Sequence, residues 1–396
     1  MKPAREASAM IQLLQRTPLA WRQAIHRPMR LAAAIAGVSF ANLLVFFQLG
    51  LSGGLYDSQK RPLQRLNGEL VMVSGRYLYL GEQLNFPRAR LSQALGVEGV
   101  RNVAPLYVGL SEWLNRDSRQ QKQALIFGIA PENPALNIQE IAADPWLLER
   151  SDSLFFDTRS KRNAGAVAQV VRRDGHYDTE LGGMRARVDG LFSMGLTFAA
   201  DINLITSATN FKNYFPNQSA DDIQMGVIQL KPGVDPLRVK ATLESFLDPS
   251  VKVFTIPQIA QLEVNYWRHN TSFGVIFGLG VLVGLAVGGI IVYQILYSDV
   301  SDHLGEYATL KAMGYNDGFV VSIIIQESLI LAVLAFWPSL VLSLGLYAFL
   351  ARATSLAVVM SVGRAVLVFG FTLAMCGISG WLATDKLRRL DPAEIF

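Results

Sequence analysis

The residues able to do covalent or metal chemistry are few in this sequence and poorly spaced for it. One cysteine, Cys376, sits inside an apolar run. A lone thiol makes neither a disulfide framework within the chain nor a CxxC metal or redox motif. His26, His176, His269 and His303 stand far apart, without the HxxxH or HExxH spacing that puts two imidazoles on one helix face. No metal and no cofactor is expected. Asp221 and Asp222 are adjacent, so on a helix or a strand their side chains point different ways, and the pair reads as a solvated turn. A GxSxG nucleophile elbow is missing, and so is GxxxxGK(S/T), the loop whose amides cradle nucleotide phosphates. One carboxylate, Glu327, falls near the end of a long apolar run, where an ionisable group is a functional candidate by default. Snorkelling or a hydrogen bond to a neighbouring loop explains it equally well. With no chain of buried charges, a proton- or ion-driven relay is not expected, and energy has to come from a partner.

The most informative segment is a polar loop, residues 298–318. Read as a short helix over residues 306–313, it sets Tyr307, Leu310 and Lys311 on one face by the i, i+3, i+4 rule. Gly314 ends that helix where a left-handed residue is easy. Tyr315, Asn316 and Asp317 turn the chain back. A short amphipathic helix at a membrane surface suits a docking knob, although a plain connecting helix has the same pattern.

The elements that position this loop are membrane spans. Hydrophobic residues make up 51% of the chain and charged ones 17%, against roughly 25% charged in soluble domains. Apolar runs cover residues 31–51, 271–297, 319–350 and 365–384. The first is about 30 Å long as a helix, enough to cross the hydrocarbon core and too long for a signal-peptide h-region. Pro338 interrupts the third run and is expected to kink it. Residues 351–364 form a short link. Lys2, Arg5, Arg16, Arg22, Arg27 and Arg30 precede the first run, in the segment 1–30, against the single acid Glu6. Lys386, Arg388 and Arg389 follow the last, in the tail 385–396. By the positive-inside rule both ends belong in the cytoplasm, and the count of spans then puts the loop 298–318 there too, although Lys311 is its only strong base. The net charge of +4 is read as topology information, and no nucleic-acid patch is seen.

Residues 52–270 are then extracytoplasmic and long enough for a core of their own. Strands are expected over 69–73, 100–113, 124–129, 223–230 and 251–255, with a short helix over 88–95. Asp235 can cap a helix over 236–247, giving a βαβ-like unit. Residues 151–183 resist assignment, and 257–269 read as a helix running into the second span. The fold class is a polytopic α-helical membrane protein, with four transmembrane helices and a large mixed α/β extracytoplasmic domain between the first and second.

The second run carries Gly274 and Gly278, then Gly280, Gly284 and Gly288 in GxxxG register. Small residues let helix backbones approach closely in lipid. The interface they serve is either within the subunit or across a dimer.

At the loop the chain resembles a family. Glu306-Tyr-Ala-Thr-Leu-Lys-Ala-Met-Gly314, followed by Gln326-Glu327, is similar to the signature of the FtsX, LolC/LolE and MacB permease domains. Arg389-Leu-Asp-Pro-Ala-Glu-Ile-Phe396 resembles their Asp-Pro-Ala-Glu ending, and Leu19-Ala-Trp-Arg22 their amphipathic lead-in helix. Residues 302–315 most resemble the DevC-type ABC transporter permeases. Asp302 and His303 occupy the neighbourhood of the usual superfamily arginine, and the ATPase motif fused to the permease in MacB is absent.

The resemblance implies a subunit with no ATPase activity of its own, working with a separate DevA-like ABC ATPase. It also implies a DevB-like periplasmic membrane-fusion adaptor and a TolC-like outer-membrane protein. A permease homodimer in the inner membrane is implied, with membrane lipid around it. Glu306, Tyr307, Leu310, Lys311, Met313, Gly314 and Tyr315 fall in the segment that docks the ATPase. ATP-driven closure would be relayed to the outer domain by mechanotransmission, for export of a lipid, glycolipid or other amphiphile. The alternative is an FtsX-like regulator that controls a periplasmic enzyme or sensor without moving cargo. An outer-facing membrane enzyme is disfavoured because no catalytic set is visible.

Overall fold

The computed structural model describes residues 28–82, 84–161, 164–195, 197, 200–219, 221–354 and 358–385. The basic segment before Pro28, with Leu19-Ala-Trp-Arg22, and the tail after Asp385 lie outside the described residues. The chain divides into two compact units, one holding the apolar helices and one built on residues 53–274.

Among the described residues, four helices are long and apolar enough to cross a membrane. They are α1 (Pro28–Gln64), α8 (Ser272–Asp302), α10 (Asp317–Thr354) and α11 (Val362–Ala383). Even the shortest spans about 33 Å at 1.5 Å per residue. Each exceeds the expected apolar run at one end or both, because a helix continues past the hydrocarbon core until its backbone bonds find another partner. α1 continues well beyond Leu51, and α10 runs through Pro338 with its helix unbroken.

Within the apolar stretches of the membrane unit the helices are tied by small residues and hydroxyls. The Ser39 hydroxyl donates to the Ala335 carbonyl at 2.9 Å, in the turn that Pro338 deprives of an amide donor. Thr372 donates to Asn42 at 2.9 Å, and Tyr347 to the Phe46 carbonyl at 2.6 Å. Asn42, Ser339 and Thr372 are all buried. Such polar contacts between helices contribute about 0.6–2 kcal/mol each in lipid. Around them pack Ala34, Val38, Val292, Leu331, Ala335 and Met375.

The outer unit is built on a nine-stranded sheet ordered β11-β1-β10-β3-β4-β8-β5-β7-β6. Its strands are β1 (Leu70–Ser74), β3 (Val100–Leu114), β4 (Gln121–Ile129), β5 (Ser153–Asp157) and β6 (Tyr177–Leu181). The remainder are β7 (Met184–Phe192), β8 (Ile202–Ser207), β10 (Met225–Leu230) and β11 (Val251–Thr255). A separate pair joins β2 (Phe86–Pro87) to β9 (Asp222–Ile223). A bridge between Trp113 and Leu181 joins β3 to β6, so six of the strands close on themselves around the buried Trp113. Leu70 and Met72 enter one apolar cluster and Val71 and Val73 another. β1 is therefore covered on both faces, which explains its unbroken apolar run.

The β10, α6 (Pro236–Phe246), β11 passage is a split βαβ unit. β10 and β11 each pair antiparallel with β1, which lies between them. Asp235 caps α6, accepting from the Leu237 amide at 3.0 Å. The expected short helix over 88–95 is α2 (Arg88–Gln93) continued by a single 3-10 turn. The segment 151–183 resolves into β5, α4 (Val167–Asp174) and β6, with α3 (Gln139–Ala143) before it and α5 (Ala208–Tyr214) after β8.

One expectation is corrected. The helix read as running into the second span, α7 (Ile256–His269), stops at Asn270, and α8 starts afresh at Ser272. Thr255 and Gln258 form a capping box at the start of α7. The break follows from Asn270-Thr271, two poor helix formers in succession.

Candidate functional site

The short helix expected in the polar loop is present as α9 (Leu304–Ala312). α8 runs five residues further into the loop than its apolar stretch suggests and ends at Asp302. His303 makes the corner, its amide donating to the Asp299 carbonyl at 3.1 Å and its Nδ1 lying 2.9 Å from the same oxygen. Gly314 sits at φ +91° and ends the element in the left-handed region. Beyond it the Tyr315 ring stacks on Phe319 at 4.8 Å, and the Phe319 amide donates to the Asn316 carbonyl in the first turn of the return helix.

The faces of α9 differ from the sequence expectation in one respect. Tyr307 is only 1% exposed and packs with Val300, Leu304 and Ile324, so it is an inward anchor and not part of an outer face. A phenol one turn from two long apolar helices gains more from covering them than from facing water. Ala308 is buried beside it. Glu306, Thr309, Met313, Gly314 and Tyr315 are exposed, Met313 at 64%. The side chains of Leu310 and Lys311 lie outside the described ones. Burial, and after it the carboxylates of Glu327, Asp299 and Glu306, hold the Tyr307 phenol above its ordinary pKa, so it stays neutral. Its hydroxyl has no hydrogen-bond partner among the described residues.

A cation from the first span closes the corner. Arg30 near the start of α1 donates to Asp302 at 2.8 Å and to Asp299 at 3.4 Å. His303 lies 3.7 Å from the Asp299 carboxylate. Glu327, in the third turn of α10, is half-buried close to this group. The site thus brings the ends of α1, α8 and α10 together beneath α9. It holds no nucleophile and base in register. Among the described residues no group of three His, Cys, Asp or Glu could hold a metal. What the arrangement can do is hold a small exposed knob rigidly on three membrane helices.

The glycines of α8 divide between surroundings. A Cβ on Gly288 would lie 2.7 Å from Ala41, and one on Gly284 3.1 Å from Val45, both on α1. A Cβ on Gly280 would collide with the Gln48 amide. These three face α1 of the same subunit. Gly278 looks into open space, and Gly274 meets the backbone of Arg268.

Sequence reasoning gave Arg30 a topological role only and passed over Glu263. That carboxylate is fully buried on α7 and accepts from the Tyr77 hydroxyl at 2.6 Å and from the Leu80 amide. Burial pushes it up to about 7, against those hydrogen bonds. A signal was there: Ile259, Ala260, Glu263 and Val264 share one helix face, so the acid had to turn inward.

Residues 276–392 match the FtsX-like permease C-terminal family. The chain is similar to the macrolide export ATP-binding/permease protein MacB of Bdellovibrio bacteriovorus, at 19% identity over 92% of this chain and 59% of that protein. It therefore spans less than two thirds of that relative's length. Among solved structures it is similar to the periplasmic region of MacB from Actinobacillus actinomycetemcomitans, at 10% identity and TM-score 0.33, over 50% of this chain and 94% of that one. It is also similar to the extracellular domain of the noncanonic ABC-type transporter YknZ from Gram-positive bacteria, at 13% identity and TM-score 0.31, over 47% of this chain and 98% of that one.

Proposed function

We propose that this chain, a member of the FtsX/MacB/LolC permease superfamily by its FtsX-like domain, is the nucleotide-free membrane subunit of an ABC-type exporter. A separate DevA-like ATPase supplies the energy. The ATPase docks on α9 from the cytoplasm, where both chain ends also lie. A DevB-like adaptor and a TolC-like outer-membrane duct receive the cargo, a lipid, glycolipid or other amphiphile, from the outer unit. The permease works as a homodimer.

The observation that carries this reading is the anchoring of α9. Tyr307 is buried against α8 and α10 while Met313 and Tyr315, a few residues on, are exposed. A push on the exposed residues is borne by packed helices and is not absorbed by a loose loop. The bilayer thickness forbids the ATPase from reaching the outer unit directly, so a relay of this kind is what an ATP-driven subunit without a P-loop requires.

The test is co-purification from detergent with a site-specific crosslinker at Met313. Capture of an ABC ATPase supports the reading. An intact complex with no crosslink from Met313 removes α9 as the docking element. Crosslinking from the outer unit then separates an adaptor, expected here, from a wall hydrolase or sensor, expected of an FtsX-like regulator.

A further inference from the structure

The loop after β1, residues 75–82, is tied to α7 in an unusual way. The single oxygen Oε1 of buried Glu263 accepts from both the Tyr77 hydroxyl and the Leu80 amide. Leu80 is buried, while Leu78 between them is 46% exposed. The Leu78 amide donates to Glu82 at 3.2 Å, closing a tight turn that holds Leu78 out. Tyr79 stacks flat on Tyr266 at 4.4 Å, and both rings meet the edge of Trp267 at 6.0 Å. Trp267 in turn lies 6.3 Å from Phe273. Tyr56 carries Arg268 over its ring at 5.3 Å. Tyr79, Tyr266 and Trp267 are only partly covered, while Tyr77 packs against the core beside them.

The chain itself fixes where this cluster lies. Trp267 stands five residues before Ser272, the start of a membrane span. At most this is about 17 Å of chain, and about 8 Å if helical. Tyr56 lies five residues beyond the end of the apolar run of α1 at Leu51. The headgroup layer is about 5–8 Å thick on each side of the hydrocarbon. Tyr and Trp are enriched at that depth because their rings are apolar and their polar atoms need water. Exposed Arg76, Arg268 and His269 border the rings, and cationic side chains there meet phosphate headgroups.

We propose that the loop 77–80 and the Tyr266–Trp267 turn form a lipid-contact foot of the outer unit, seated in the headgroup layer with Leu78 at its tip. Glu263 is the residue that holds this foot to α7. The partner is the bilayer surface itself. This inference rests on the membrane span at Ser272 and is independent of what docks on α9.

The experiment uses the full chain in phospholipid nanodiscs, in a Cys376→Ala background. Spin labels are placed at Leu78→Cys and, as a control on an exposed α6 position, at Leu237→Cys. Collision rates are measured with oxygen, which concentrates in lipid, and with a water-soluble nickel chelate. The label at position 78 is expected to show an oxygen-to-nickel ratio several-fold above that at 237. Equal ratios overturn the proposal. Should the Leu78→Cys protein fail to fold, emission in brominated-lipid nanodiscs replaces it. In a Trp21→Phe, Trp337→Phe, Trp381→Phe background the quenched component is expected to vanish in Trp267→Phe, and a component that survives unchanged overturns the proposal equally.

Discussion

Arg30 on the first membrane helix holds Asp302 at the end of the second through a hydrogen bond of 2.8 Å. The two residues are 272 positions apart in the chain, and the bond sits at the root of α9. The positive charge at the root of α9 is thus supplied from another helix, α1.

Arg30→Gln is expected to leave the fold nearly intact, because the pair is about one third exposed and such pairs contribute roughly 0–1 kcal/mol. Its effect is on coupling. With the partner ATPase bound, ATP turnover is expected to persist while export falls several-fold. Normal export from a variant lacking the bond would mean that α9 is held by its apolar anchor alone.

Met313→Asp and Tyr307→Ala separate the two sides of α9. The first charges an exposed position and is expected to abolish association with the ATPase at unchanged thermal stability. Leu310→Asp is expected to act likewise. The second empties a buried site and is expected to cost on the order of 3–5 kcal/mol, as large-to-small substitutions of buried aromatics do. Thermal unfolding and pull-down of the ATPase, measured on both, give opposite patterns if the faces are as described.

Gly284→Ile and Gly288→Ile test what the glycine register serves. The structure turns both glycines toward α1 of the same subunit, so overpacking is expected to destabilise the membrane unit by about 1–3 kcal/mol. The fraction of crosslinked dimer in native membranes is expected to stay the same. Loss of dimer with unchanged stability would reassign these positions to a contact between subunits.

Glu263 makes stability depend on pH. Its carboxyl is raised from its ordinary value to about 7 by burial. Between about pH 4.5 and 7 the folded protein keeps a proton that the unfolded chain releases. The stabilisation is complete below that window and is lost as pH rises through it, by up to ~3 kcal/mol. Thermal unfolding of the full chain at pH 5 and pH 8 is expected to show this difference, and Glu263→Gln is expected to flatten it. An identical slope in the variant would assign the dependence to another group.

What the sequence displayed well was whatever rests on local pattern. The four apolar stretches, Gly314 as a left-handed stop and the Asp235 cap are all read from neighbours within a turn or two, and β11 begins and ends where its alternation says. Elements were hidden where long-range pairing decides. β5 pairs in parallel with β7 and is buried on both faces, yet its five residues begin with Ser153 and end with Asp157, so no apolar run marks it. Asp157 is acceptable there because the Gly195 amide and Asn203, both far along the chain, donate to it. The candidate site was legible as a helix but not as a set of faces. Which side of α9 turns inward depends on Val300 and Ile324, one on the helix before it and one on the helix after.

Because Gly280, Gly284 and Gly288 are occupied by α1, the outward side of α8 is left to Val275, Ile276, Leu279, Val283 and Ile290. Those five side chains are aliphatic, so whatever packs on them is held by shape alone, with no hydrogen bond from them to fix its register.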